Sequence, residues 1–121
     1  MKMYKVMIID DEPIIVEGLS RSVAWEKYDC QVVNTAHDGQ EGIKKIRKDR
    51  PDMIFLDICM PEMDGLQVLE QMNRFRWINE IPVIMISGEE NSRTIRLAYK
   101  MGVMDYICRP FDAFIVCRRI E

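Results

Sequence analysis

Short apolar runs recur along the chain, each stopped by charged or turn-forming residues. The first, Lys5-Val6-Met7-Ile8-Ile9, does not alternate with polar positions, which predicts a strand covered on both faces. Asp10-Asp11-Glu12-Pro13 ends it. Ile15, Leu19 and Val23 then recur every four residues, a helical stripe opened by Pro13 in its first turn. Cys30 to Ala36, with Val32-Val33 inside, reads as a second strand. Asp38 followed by Glu41 is a helix-start signature, and Ile43 and Ile46 carry that helix to Arg50-Pro51. Met53-Ile54-Phe55-Leu56 is a third strand, ended by Asp57. Asp64 and Gln67 repeat the start signature, and Leu66, Leu69, Met72 and Phe75 form the expected buried stripe. Pro82 to Ile86 is a fourth strand ending at Ser87-Gly88. Ile95, Ala98 and Tyr99 mark a fourth helix with Gly102 at its C-terminal cap. Met104 to Cys108 is a fifth strand ending at Arg109-Pro110, and Phe111 to Glu121 a last helix with Asp112 as its cap.

Five strands alternating with five helices predict an α/β fold: a doubly wound, five-stranded parallel sheet with right-handed crossovers. A closed eight-fold barrel needs about twice this length. The chain has 121 residues, room for one domain, and shows no repeat, linker or low-complexity stretch. Its composition, 48% apolar and 31% charged, excludes disorder, and no apolar run reaches the ~18 residues of a membrane span. Only four apolar residues follow Lys5 before Asp10, too few for a secretory core, so a cytoplasmic location without membrane contact is expected. A net charge of -3 excludes a bulk electrostatic grip on nucleic acid. Cys30, Cys59, Cys108 and Cys117 form no C-x-x-C pair and His37 is the only histidine, which argues against zinc. The cysteines are expected to be reduced and mostly buried, and the 10 methionines to fill core gaps.

Open α/β sheets bind ligands beyond the C-terminal strand ends, at the point where strand order reverses. Those ends carry Asp10 and Asp11, Asp57, Ser87 and Arg109. If the order is 2-1-3-4-5, the commonest for five such units, strands one and three are neighbours and three carboxylates share a crevice. Such carboxylates repel, and a bound cation relieves the repulsion. With oxygen ligands alone, a hard ion that keeps waters and bridges to phosphate, magnesium, fits best. No nucleophile–base pair, G-x-S-x-G motif or glycine-rich phosphate loop is present. The chemistry left is a carboxylate nucleophile attacking phosphorus.

These residues carry a resemblance. Ile9-Asp10-Asp11-Glu12-Pro13, the stretch from Phe55 through Asp57-Ile58-Cys59-Met60-Pro61 to Asp64-Gly65, Ile86-Ser87-Gly88, and Asp105 through Tyr106 and Arg109-Pro110 to Phe111 stand in the order of a known family. Over its whole length the chain resembles the receiver domain of two-component response regulators. The resemblance implies a flavodoxin-like (βα)5 fold in order 2-1-3-4-5 and a single receiver domain over residues 1–121, with no output domain in the chain. It implies Asp57 as the aspartate phosphorylated by a sensor histidine kinase. Asp11, Asp57 and the backbone carbonyl of Cys59 match the Mg2+ ligands, and Asp10 matches the acid that holds the metal through water. Ser87 matches the hydroxyl that moves to the phosphoryl group, and Tyr106 the aromatic switch that follows it. Arg109-Pro110 falls on a lysine–proline pair whose peptide bond is typically cis. Phosphorylation would then bias the face made by helix four, strand five and the last helix, with Ile95, Tyr99 and Phe111 as candidates, toward a homodimer.

A finer likeness lies in Pro13-Ile14-Ile15-Val16-Glu17-Gly18-Leu19, Trp25-Glu26 and Gly102-Val103, which look like receivers joined to AraC-type helix-turn-helix output domains. DNA would then be reached only through such a domain, and the output would be transcription. Arg109 departs from the family's lysine: it keeps the charge but is longer, planar and forked. That departure favours one alternative, a degenerate receiver acting as a phosphorylation-independent interaction domain, while intact Asp10, Asp11, Asp57 and Ser87 oppose it. A second alternative, an aspartate-nucleophile phosphatase of the haloacid dehalogenase type, wants D-x-D, and Asp57-Ile58-Cys59 lacks the second carboxylate. The expectation is therefore a signalling switch, not an enzyme beyond its own phosphorylation and dephosphorylation.

Overall fold

The computed structural model describes residues 3–58, 64–87 and 92–108. The predicted last helix, and with it Arg109, Pro110, Phe111 and Asp112, lies outside these residues, as do Cys59 and Cys117. In chain order the elements are β1 Tyr4–Ile9, α1 Pro13–Ser22, β2 Cys30–Ala36, α2 Gly39–Asp49, β3 Met53–Asp57, α3 Gly65–Arg74, β4 Val83–Ser87, α4 Ser92–Lys100 and β5 Asp105–Cys108. The strands form one parallel sheet in the order β2-β1-β3-β4-β5. The expected fold and strand order are both present.

The unbroken apolar character of β1 has its predicted meaning. Met7 and Ile9 join a core with residues of α2, α3 and α4, among them Ile46, Leu69, Met72 and Ala98. Val6 and Ile8 face the other way, into a core with Val16 and Leu19 of α1. Successive side chains therefore bury on opposite faces of the sheet. Within the second core, Trp25 meets Phe55 edge to face at 5.6 Å, and its indole N–H donates to the Leu19 carbonyl at 3.1 Å. β2 is an edge strand, and a groove of about 550 Å³ runs beside it, walled by Ser20, Trp25 and Glu26. The β1–β2 register slips between Val6 and Met7: Val6 pairs with Val32, but Met7 with Asn34. Val33 is thus an extra residue, a bulge in the edge strand.

The helix starts obey local chemistry. Asp64 accepts from the Gln67 N–H and the Gln67 side chain accepts from the Asp64 N–H, a complete capping box. Asp38 likewise accepts from Glu41 N–H, but the Glu41 carboxylate reaches past the cap to the His37 N–H. Gly102 ends the α4 segment at φ +104°, as its predicted cap position requires.

Several expectations are corrected. Phe75 is not buried: α3 ends at Arg74, and Phe75 caps it at 42% exposure while Val68 takes a core position. Trp77, in an unforeseen 3-10 turn Trp77–Asn79, fills the core below, and Phe75 stacks on it at 4.8 Å. A second unforeseen 3-10 turn spans Trp25–Tyr28. β5 begins one residue later than predicted, leaving Met104 exposed rather than filling a core gap, whereas Tyr99, a candidate for the same face, is exposed as that role needs. Val23 falls just after α1 yet remains buried.

Candidate functional site

Strand register brings the acidic residues together. Ile9 pairs with Leu56, so the next residues, Asp10 and Asp57, stand beside each other at the ends of the two central strands. Both are fully buried. The Asp10 backbone is held by a bond from its N–H to the Ala36 carbonyl at 3.0 Å, and its carboxylate accepts the Glu12 N–H at 2.9 Å. That second bond folds the chain back as α1 begins, and it gathers three acids. Carboxylate oxygens of Asp10, Asp11 and Glu12 all lie within 4.8 Å of one another. Glu12, exposed at the start of α1, was not anticipated as a site residue. Its adjacency to Asp11 was the available signal, masked by its obvious place at the helix start.

Asp11 supplies the observation that tests a cation. Its Oδ1 is shielded from solvent and accepts no hydrogen bond. A buried carboxylate oxygen without a donor is costly unless a positive charge satisfies it. An all-oxygen donor set with one such atom fits a small hard cation.

Beyond Asp57 the chain is tied down tightly. Ile58 N–H donates to Ile86 O, and Gly65 N–H donates to Ile58 O, both at 3.0 Å. A Cβ on Gly65 would stand 2.4 Å from the Asp57 carbonyl oxygen and 2.6 Å from Ile58 Cα. Only glycine lets α3 start this close to the Asp57 backbone.

On the other side of β3, Asp57 pairs with Ile86, so Ser87 follows one step beyond on β4, paired with Cys108 of β5. The side chain of Ser87 lies outside the described part of the structure, as do Cys59 and Arg109 entirely. Tyr106 pairs with Met85, is half-buried, and packs against the core shared with α2, α3 and α4. His37 follows β2 on the far side of β1 from Asp57 and is exposed.

A doubly wound sheet with acids at the ends of its two switch-point strands defines a small α/β domain with an acidic pocket. The chain belongs to the response regulator receiver domains, whose family pattern matches residues 6–121. It is 32% identical over 117 residues to the alkaline phosphatase synthesis transcriptional regulatory protein PhoP of Bacillus subtilis, covering 97% of this chain and 47% of that protein. Among solved structures, the REC domain of AraT, a response regulator from Geobacillus stearothermophilus, superposes with TM-score 0.89 at 31% identity, covering 98% of this chain and 90% of that one. The CheX-CheY-BeF3-Mg2+ complex from Borrelia burgdorferi gives TM-score 0.87 at 28% identity, covering 97% of this chain and 86% of that one. The chain spans less than half the length of PhoP. Among the described residues, no helix is long and apolar enough to cross a membrane.

Proposed function

We propose that Asp57 accepts a phosphoryl group from a sensor histidine kinase, with Mg2+ held by the Asp10–Asp11 cluster and Asp57. A carboxylate oxygen of Asp57 attacks phosphorus. The P–N bond of the donor phosphohistidine breaks, and its electron pair stays on the imidazole nitrogen, which takes up a proton. When bound, the metal neutralises charge between the carboxylates and the phosphoryl oxygens. Hydrolysis later returns phosphate and the free carboxylate. The domain is a switch that catalyses only its own phosphorylation and dephosphorylation. Ser87 and Tyr106 pass the change to the face of α4 and β5, where Leu97, Tyr99 and Met104 are already exposed for a partner or a second copy. The output is control of transcription through a further domain.

The observation that carries this reading is the buried Asp57, register neighbour of Asp10, beside an Asp11 oxygen that lacks a donor. The BeF3 and Mg2+ in the related CheY complex support it. The test is intact mass after incubation with acetyl phosphate. Wild type gains one phosphate only when Mg2+ is present, and Asp57→Asn gains none. A wild type that never gains it would leave the phosphorylation-independent interaction domain as the better reading.

A further inference from the structure

At the end of the molecule opposite the acidic pocket, arginines gather around two aromatic rings. α2 and α3 run antiparallel to the strands, so their C-termini meet the starts of β3 and β4. There the Arg47 guanidinium lies over the Phe75 ring at 5.0 Å and near Trp77 at 5.9 Å, and Arg50 lies over Trp77 at 5.2 Å. Arg74 and Arg76 flank Phe75 in the chain, and all four arginines are exposed. The ion pairs Arg21–Glu17 and Lys45–Glu41 lie elsewhere and do not involve this group.

Cations in a last helical turn complement the helix dipole, which accounts for Arg47 and Arg74. It does not account for the residue type at positions 50 and 76. Both stand in the left-handed region, at φ 45° and 62°. Glycine or asparagine is the unstrained choice there, and a strained backbone that keeps a functional side chain points toward a role.

We propose that this patch docks an acidic amphipathic segment of a partner protein, with carboxylates on the arginines and an aliphatic side chain on Phe75. Aromatic and arginine side chains together are the usual anchors of protein interfaces. Stacking on aromatic rings holds two of the guanidinium groups in place, so less freedom is lost on binding. Phe75, 42% exposed and stacked on the buried Trp77, offers a rigid apolar seat. A phosphodiester backbone would pair with the arginines but has no aliphatic group to seat on the exposed Phe75, so an amphipathic peptide is the better occupant. Placement opposite the acidic pocket leaves the phosphorylation site open while the partner is bound.

The probes are a synthetic helical peptide of alternating glutamate and leucine faces and, separately, a short DNA duplex, each titrated into the 15N-labelled chain. The peptide should shift amides around residues 47–50 and 73–77, and added salt should weaken it. The double variant Arg50→Gly, Arg76→Gly should bind about tenfold more weakly while melting no lower than wild type, since glycine suits both backbones. Phe75→Ser should also weaken the peptide. Absence of shifts in that region, or unchanged peptide binding by the double variant, would overturn the proposal. So would a duplex that shifts the same amides and ignores Phe75→Ser, which would make the patch a nucleic-acid contact.

Discussion

At the scale of single residues, Gly65 and Cys30 show how closely the interior is set. The atoms that a Gly65 side chain would strike belong to the backbone of Asp57 and Ile58, so they cannot swing aside. Gly65→Ala is expected to destabilise the fold by about 2 kcal/mol and to slow phosphorylation by moving Asp57, read by urea unfolding and by intact mass. Cys30 is buried within the second core, and that burial pushes its thiol above the ordinary value, with Asp29 and Asp52 adding to the effect. The folded chain therefore keeps this proton after the unfolded chain has lost it. Stability from this source is intact below the ordinary thiol value, about 8.5, and falls as pH rises past it. Urea midpoints across that range should decline more steeply in wild type than in Cys30→Ala. Equal slopes would show that the thiol is not a contributor.

At the scale of elements, capping and register decide more than propensity does. Asp64→Ala removes the acceptor for Gln67 N–H and should cost about 1 kcal/mol in urea unfolding. The α3 start was legible because a capping box is a local contract between residues three apart. Strands were legible because β1 and β3 to β4 are covered on both faces and read as unbroken apolar runs. Phe75 and Met104 were misjudged for a shared reason. Periodicity tells which side chains could turn inward, not which neighbour has already filled the space, and Trp77 fills it in the case of Phe75. The 3-10 turns lack any periodic signal long enough to read.

At the scale of the whole molecule, sheet order turns separate acids into one pocket. That order was adopted as the commonest arrangement, since nothing in hydrophobic spacing distinguishes it; the aspartates at the strand ends were readable, but Glu12 was not, because its contribution depends on the Asp10 carboxylate folding the chain back. Binding only the folded state, Mg2+ at about ten times its dissociation constant should stabilise by about 1.4 kcal/mol and raise the melting temperature by roughly 5 °C. Asp11→Asn should blunt that rise, and without metal it should melt higher than wild type because one repelling charge is gone. A variant that keeps the full Mg2+ response would remove Asp11 from the pocket.

The bulge at Val33 bears on how the molecule keeps to itself in a crowded solution. β2 ends the sheet with one row of backbone donors and acceptors facing outward, the kind of border on which a stray strand can crystallise into a growing ribbon. An extra residue in that border breaks the even spacing a newcomer would need, so a straight strand can match it on one side of Val33 but not on both. The irregularity thus works as a guard against templated aggregation, built into β2, one of the two edge strands of the sheet.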